Sequence, residues 1–124
     1  MKWKQLLSLA LLISSVAFTA LALRPVRAVS LDEAESISGS VRAVRTDSST
    51  GDIAVYLREN DVMYYINRGL YLDFDANQLK TNLVNKPVVI YYAKHWTPLD
   101  PLNRHKHIVR VQVSENILYD EISL

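Results

Sequence analysis

Apolar and polar residues alternate along several short stretches of the chain, and this period of two is typical of strands with one buried face. The clearest is "DIAVYLRE" (52–59), in which every second residue from Ile53 to Leu57 is a large aliphatic. "VVIYYAK" (88–94) is apolar on both faces, which predicts a strand that is covered on both sides. The predicted strands are residues 37–46, 52–59, 62–66, 88–94 and 107–115, with the tail 117–124 as a further short candidate.

The alternation also predicts which side chains face the core. The chain turns at residues 59–61 and returns, so the second and third strands form a hairpin. The inward residues of this hairpin are predicted to be Ile53, Val55, Leu57, Val62, Tyr64 and Ile66. The outward residues are predicted to be Tyr56, Arg58, Met63 and Tyr65. In the last strand, one face is predicted to carry His107, Val109, Val111 and Val113.

One short helix is marked by its end signals. Asp75 is suited to cap the first turn of "DANQLKTNLVNKP", and Gln78 three residues later completes a capping-box pattern. Leu79 and Leu83 fall on one face through their spacing of four. Asn85 can end the helix, because asparagine tolerates a left-handed backbone conformation.

Three strands, a helix and two strands follow one another, and this order resembles the OB-fold, a five-stranded Greek-key barrel. The resemblance covers residues 37 to about 115 and rests on the order of elements alone. It implies a mainly β domain with one short helix. It also implies a ligand surface formed by the first and fourth inter-strand loops with the outer face of strands two and three. Another small α+β sheet, with the helix packed on one face, is the alternative.

The N-terminal 28 residues have the layout of a secretory signal peptide. A basic start is followed by an apolar run from Leu6 to Leu23 and by an Ala28 cleavage signal. The alternative is an uncleaved membrane anchor, since the run from Leu6 to Leu23 is 18 residues long and reaches the short limit of a spanning helix. The expected organisation is a signal peptide at 1–28, a loose acidic lead-in at 29–36 and one barrel domain at 37–124.

Removal of the signal changes the charge of the protein. The whole chain has 14 basic and 13 acidic residues, but Lys2, Lys4, Arg24 and Arg27 leave with the signal, so the mature domain carries 10 basic residues and a net charge of −3. This balance argues against a general nucleic-acid binder. The chain has no cysteine, which excludes disulfides, thiol nucleophiles and zinc–thiolate sites.

The stretch "HWTPLDPLNRHKH" (95–107) holds all three histidines of the chain. His95, His105 and His107 can converge on Zn²⁺ or Cu²⁺, because imidazole suits both ions. Asp100 can serve as a fourth ligand or orient one histidine. The neighbouring cations oppose binding of a further cation, and they are Lys94, Arg104 and Lys106.

The same stretch is also a candidate recognition loop. Pro98 and Pro101 fix the backbone and hold their preceding residues extended, which makes the connection stiff. Trp96 and Leu99 are expected to pin it to the barrel. The candidate binding residues are Trp96, Leu99, Asp100 and Arg104 of the loop with Tyr56, Arg58 and Tyr65 of the outer face.

Three functions from different classes fit these features. The first is an exported, non-enzymatic binding module of the bacterial envelope, periplasmic or secreted, whose partner is a protein, a peptide or a glycan. The second is a metal-binding protein or small metal-dependent hydrolase that uses the three histidines; outside that case no cofactor is expected. The third is an accessory subunit held to the membrane by residues 5–23, in which case the protein is a single-pass membrane protein.

Overall fold

A computed structural model describes residues 2–23, 30–72 and 75–121 of the chain. The predicted cleavage site after Ala28 and the end of the predicted tail strand lie outside these residues. The helices are α1 (Trp3–Ala22) and α2 (Ala76–Leu83), with a single 3-10 turn at Gly69–Tyr71. The strands are β1 (Glu35–Thr46), β2 (Ile53–Leu57), β3 (Met63–Ile66), β4 (Pro87–Tyr92), β5 (His105–Val113) and β6 (Asn116–Asp120).

Five of the strands close into a barrel. The sheet runs β3-β2-β1-β4-β5-β6, and β3 also pairs with β5, so that β1 to β5 form a ring. The β3–β5 pairing is parallel, whereas the other pairings are antiparallel. The prediction of a mainly β, five-stranded barrel is therefore confirmed, and the closed mixed barrel is compatible with an OB-like one. Besides these five strands and α2, the described residues hold α1, in the predicted signal segment, and β6, which overlaps the tail candidate at 117–124.

β1 is long enough to serve both sides of this barrel. Its first half pairs with β4, from Glu35 opposite Tyr92 to Ser40 opposite Pro87, and its second half pairs with β2. A register shift between Val41 and Ala43 separates the two halves. Such a bulge bends a strand and increases its twist, which is what a small barrel needs to close.

The core follows the predicted alternation on β2 and β3. Ile53, Val55 and Leu57 are buried while the residues between them are half-buried, and Tyr64 and Ile66 are buried on β3. The remaining large core side chains of the barrel come from the other strands and from α2. They include Val41, Val44, Leu79, Leu83, Val88, Ile90, Tyr92, Ile108, Val111 and Tyr119.

The predicted face of β5 is wrong for His107. A register shift opposite Tyr91 and Tyr92 inserts Val109 as an extra residue in β5. Because side chains alternate along a strand, one extra residue moves the residues before it to the other face. Ile108 therefore lies in the core with Val111, and His107 pairs with Tyr65 on the outer face of the barrel.

α2 closes one part of the barrel against β1. The Asp75 carboxylate accepts hydrogen bonds from the N–H groups of Asn77 at 2.9 Å and Gln78 at 3.3 Å, so the predicted cap is confirmed. Leu79 and Leu83 are buried in the core. The chain leaves the helix at Asn85, whose φ of 65° is left-handed, and the Asn85 N–H donates to the Val41 carbonyl.

α1 buries none of its side chains. Its 20 residues span about 30 Å, which matches the thickness of a bilayer's hydrocarbon core. By length and composition it is able to cross a membrane, a property that signal sequences share. The core cluster and the strand pairings lie between residues 35 and 120, so the barrel is complete without α1.

The contribution of α2 can be measured on Leu83, which is fully buried. Leu83→Ala is expected to lower the free energy of unfolding by about 2–5 kcal/mol, because it removes buried methyl groups and leaves a cavity. The exposed neighbour Asn82 is the matched control, and Asn82→Ala is expected to change it by less than about 0.5 kcal/mol. Chemical denaturation measures both, and equal effects would contradict the packing of α2 on the barrel.

Candidate functional site

Two rows of side chains cross the outer face of β1, β2, β3 and β5. Strand pairing places Arg45, Ala54, Tyr65 and His107 in one row. The second row consists of Ala43, Tyr56, Met63 and His105. Ala54 lies in the middle of the first row and is smaller than its neighbours, so the outer surface of the sheet has a depression there. The OB-like order of elements predicts a ligand surface on the part of this face that β2 and β3 form.

A groove of about 290 Å³ lies on this face, at the end where β1 connects to β2. Its floor is formed by Ala54, Tyr56 and Met63, and its remaining lining by Arg45, Thr46, Asp47, Thr50 and Asp52. The groove combines an aromatic ring, a guanidinium and two carboxylates. It is therefore suited to a polar ligand with an apolar part.

Two arginines pack on the ring of Tyr56. The guanidinium carbon of Arg42 lies 5.4 Å from the ring centroid and that of Arg45 lies 5.7 Å from it. This distance is within the range of cation–π attraction, which holds the long side chains in place. Neither arginine belongs to an ion pair in the part of the chain that the structure describes. Their hydrogen-bond donors are thus available to an anionic group of a ligand.

The loop between β1 and β2 forms the acidic wall of the groove. Asp47 accepts hydrogen bonds from the hydroxyl and the N–H of Ser49, and these bonds lower the pKa of its carboxyl below the usual value. Asp52 accepts from the Arg68 N–H at 2.8 Å. Gly51 has a φ of 79°, and a Cβ there would lie 2.3 Å from the ring of Tyr71. Only glycine therefore fits this turn without movement of Tyr71.

A cluster of four side chains borders the other end of the face. His107 is 7% exposed, and its Nε2 lies 2.8 Å from a carboxylate oxygen of Glu121. The Tyr119 hydroxyl donates to the same oxygen at 3.0 Å. Tyr65 meets the His107 ring edge-on at 5.5 Å. Burial raises the pKa of Tyr65, and the charges of Asp52, Asp100 and Glu121 raise it further, which keeps its hydroxyl protonated as a donor.

Asp100 organises the loop between β4 and β5. Its carboxylate accepts from the N–H groups of Arg104 at 3.0 Å and His105 at 2.8 Å, and the Nδ1 of His105 lies 3.5 Å from it. Burial alone would raise the pKa of this carboxyl, but the two N–H groups and the charge of His105 outweigh it and lower the pKa. Asp100 also bonds Thr97 and Asn103 through its backbone. These hydrogen bonds constrain the loop in addition to the prolines, which the sequence predicts to stiffen it.

The expectation that Trp96 and Leu99 pin the loop to the barrel is wrong for Leu99. Leu99 is 68% exposed and its neighbour Leu102 is 70% exposed. Trp96 is 46% exposed, and its indole N–H donates to the carbonyl of Pro101, within the loop itself, at 3.3 Å. The polar groups thus hold the loop from inside, while its apolar side chains face outward.

The three histidines do not form a common ligand set. His107 is bound to Glu121 on one side of the face, and His105 is beside Asp100. Within residues 2–23, 30–72 and 75–121, no group of three or more histidine or acidic side chains is placed to hold a metal ion. The zinc or copper site stays a prediction of the sequence alone.

Arg58, a predicted member of the binding face, is bound to Asn85 just after α2. Its guanidinium donates to the side-chain carbonyl of Asn85, and its N–H donates to the Ser40 carbonyl. Arg45 lines the groove instead, and Arg42 packs on the ring of Tyr56, which is part of the groove floor. On a regular strand, residues three apart point to opposite faces, so the sequence does not predict that Arg42 and Arg45 contact the same ring. The bulge at Arg42 makes this contact possible.

A second groove, of about 470 Å³, lies on the opposite outer face, across β1, β4 and β5. Its lining is mainly aliphatic and small, and consists of Ser38, Gly39, Pro87, Val88, Val89, Gln112 and Ser114. It has no charged side chain, so it offers a ligand much less specificity than the first groove.

Comparison of the chain with protein-family models, with curated proteins and with solved structures finds no match. The functional argument therefore rests on the geometry of this chain.

The role of Asp100 generates a pH-dependent prediction. Because its folded pKa is lowered, its stabilising effect is complete above the unfolded pKa, about 3.9, and is lost as the pH falls through the folded value. Asp100→Ala is expected to lower the free energy of unfolding at pH 7 by about 1–3 kcal/mol, since two N–H groups lose their acceptor.

NMR of the Arg104 and His105 amides measures this titration directly. In the unmodified chain both amide shifts are expected to move together as Asp100 protonates. Asp100→Asn keeps an oxygen acceptor and serves as the control, in which the joint acid transition disappears while the loop is largely kept. A joint transition that persists in this variant would contradict the assignment.

Proposed function

We propose that the protein is an exported, non-enzymatic binding module of the bacterial envelope that holds its ligand on the outer face of β2 and β3. The observation that carries the proposal is the groove over Tyr56, where two arginines are held ready on an aromatic ring. The loop 95–107 borders the same face, because His105 pairs with Met63 of β3. The partner is a protein, a peptide or a glycan of the envelope.

The charges of the groove favour a ligand with an anionic group beside a polar body. The guanidiniums of Arg42 and Arg45 can each give two parallel hydrogen bonds to a carboxylate or a phosphate. The carboxylate of Asp47 accepts from Ser49 of its own loop, and that of Asp52 accepts from the Arg68 N–H, which follows β3. Both carboxylates can accept further hydrogen bonds from hydroxyl or amine groups. Peptide stems and acidic glycans carry both kinds of group.

The titratable residues of the face support binding more than catalysis. Asp100 is engaged by the amides of its loop, and Glu121 is engaged by His107 and Tyr119. These bonds fix the shape of the face. Export is the part of the proposal that α1 supports, since an apolar helix at the start of the chain is common to signal peptides and anchors.

The proposal predicts that filling the groove abolishes binding. Ala54 is half-buried in the floor with its side chain away from the core, so Ala54→Phe occupies the groove and leaves the core unchanged. Its affinity for soluble muropeptides with a free carboxylate is expected to fall tenfold or more, which corresponds to a loss of about 1.4 kcal/mol. NMR titration of residues 30–124 measures the affinity and locates the contact.

Ser38→Phe is the matched control, because it fills the second groove with the same side chain. Binding is expected to be unchanged in this variant. If Ser38→Phe abolished binding and Ala54→Phe did not, the ligand surface would be on β1, β4 and β5, and the proposal would be wrong.

A further inference from the structure

The chain enters the barrel at the same rim that carries the β4–β5 loop. Glu35, the first residue of β1, pairs with Tyr92, the last residue of β4, and the loop begins directly after it. The ammonium of Lys94 lies 3.8 Å from the carboxylate of Glu35. The segment that arrives from α1 and the start of the loop are therefore neighbours.

This loop exposes three large apolar side chains within seven residues, Trp96, Leu99 and Leu102. Its polar groups, by contrast, are satisfied inside it through Asp100 and the Trp96–Pro101 bond. This arrangement is unfavourable in water. Burial of one leucine side chain would stabilise the protein by about 1.5–3 kcal/mol, and the exposed leucines of this loop do not gain that free energy. Large apolar side chains that are exposed this close together are common at interaction surfaces.

α1 indicates which surface covers this patch. The helix carries four hydroxyl groups, and each donates to the carbonyl four residues earlier at 2.8–2.9 Å: Ser8, Ser14, Ser15 and Thr19. With their donors satisfied, these residues oppose insertion into lipid much less than free hydroxyls would. Trp3 and the basic residues before and after it stand at one end of the helix, where membrane helices place such anchors.

The connection between α1 and the barrel is short. Residues 23–34 can span at most about 40 Å, and the turn at Ser30–Ala34 shortens this reach. When α1 stays attached and lies in the bilayer, this connection keeps the entry rim within about 40 Å of the membrane surface. Tethering raises the effective concentration of the loop at that surface, so a weak apolar contact becomes sufficient.

We propose that the rim is a membrane-contact surface, in which Trp96, Leu99 and Leu102 insert into the interfacial region of the bilayer that holds α1. Indole and leucine side chains suit this region, where one end of the contact is apolar and the other is wet. The exposed guanidinium of Arg104 lies beside anionic headgroups, while Glu59 and Asp61 in the β2–β3 turn limit this attraction. The contact does not depend on the ligand of the groove.

The two tryptophans of the chain make a direct test possible. In the Trp3→Phe variant of the full chain, Trp96 is the only fluorophore of its kind. After reconstitution into phosphatidylcholine vesicles, with and without phosphatidylglycerol, its emission is expected to shift to shorter wavelength and to be quenched by brominated lipid. Unshifted emission and no quenching in either lipid would overturn the proposal.

Variants in the same background separate the apolar contact from the tether. Leu99→Ala and Leu102→Ala are each expected to lower the ratio of inserted to free loop about tenfold, since each removes an exposed apolar side chain that insertion would transfer from water to lipid. Ile117→Ala is the matched control, because Ile117 is 49% exposed but lies on β6 opposite the far end of β5. Equal effects of the leucine variants and this control would contradict the assignment.

The groove variant Ala54→Phe distinguishes this proposal from the proposed function. It is expected to leave the quenching of Trp96 unchanged even where it abolishes ligand binding. If Ala54→Phe removed the quenching, the rim and the groove would form one surface, and the assignment of the rim to lipid would be wrong.

Discussion

The parallel pairing of β3 with β5 is the contact on which the rest of the structure depends. The Met63 N–H donates to the Arg104 carbonyl at 2.7 Å, and the register continues to Tyr65 opposite His107. Without it the strands would form an open sheet in the order β3-β2-β1-β4-β5-β6. With it, side chains from both ends of the sheet meet on one outer face.

The same closure explains why the β4–β5 loop holds its polar groups inside and exposes its apolar side chains. The loop is held at its two ends, by the Ala93–His107 bond and by the Met63–Arg104 bond. Between these two ends, the Asp100 carboxylate accepts hydrogen bonds from N–H groups of the loop and occupies its inner side. The apolar side chains of the loop therefore face outward. A groove on the sheet and an apolar rim beside the chain entry are thus two results of one topology. The proposed ligand contact and the proposed lipid contact do not exclude each other, because the two features use different residues.

The sequence predicts the parts of this protein that follow from local periodicity. The alternation from Ile53 to Leu57 and the Asp75 cap are local, and both are confirmed. Bulges are not visible in a pattern, and the one at Val109 moves His107 to the outer face. The exposure of Leu99 also escaped prediction, since leucine in a short stiff loop suggests burial, whereas the hydrogen bonds of the loop converge on Asp100. The pairing of Arg42 and Arg45 over Tyr56 depends on the bulge in β1, so only the fold creates it.

Hydrogen exchange at the Met63 amide, measured by NMR on residues 30–124, tests the closed barrel most directly. Closure predicts that this amide exchanges as slowly as the amides of the central strand β1, since its bond to Arg104 opens only with the barrel. Rapid exchange at Met63, together with slow exchange in β1 and β4, would mean an open sheet. The shared outer face and the position of the loop would then be lost with it.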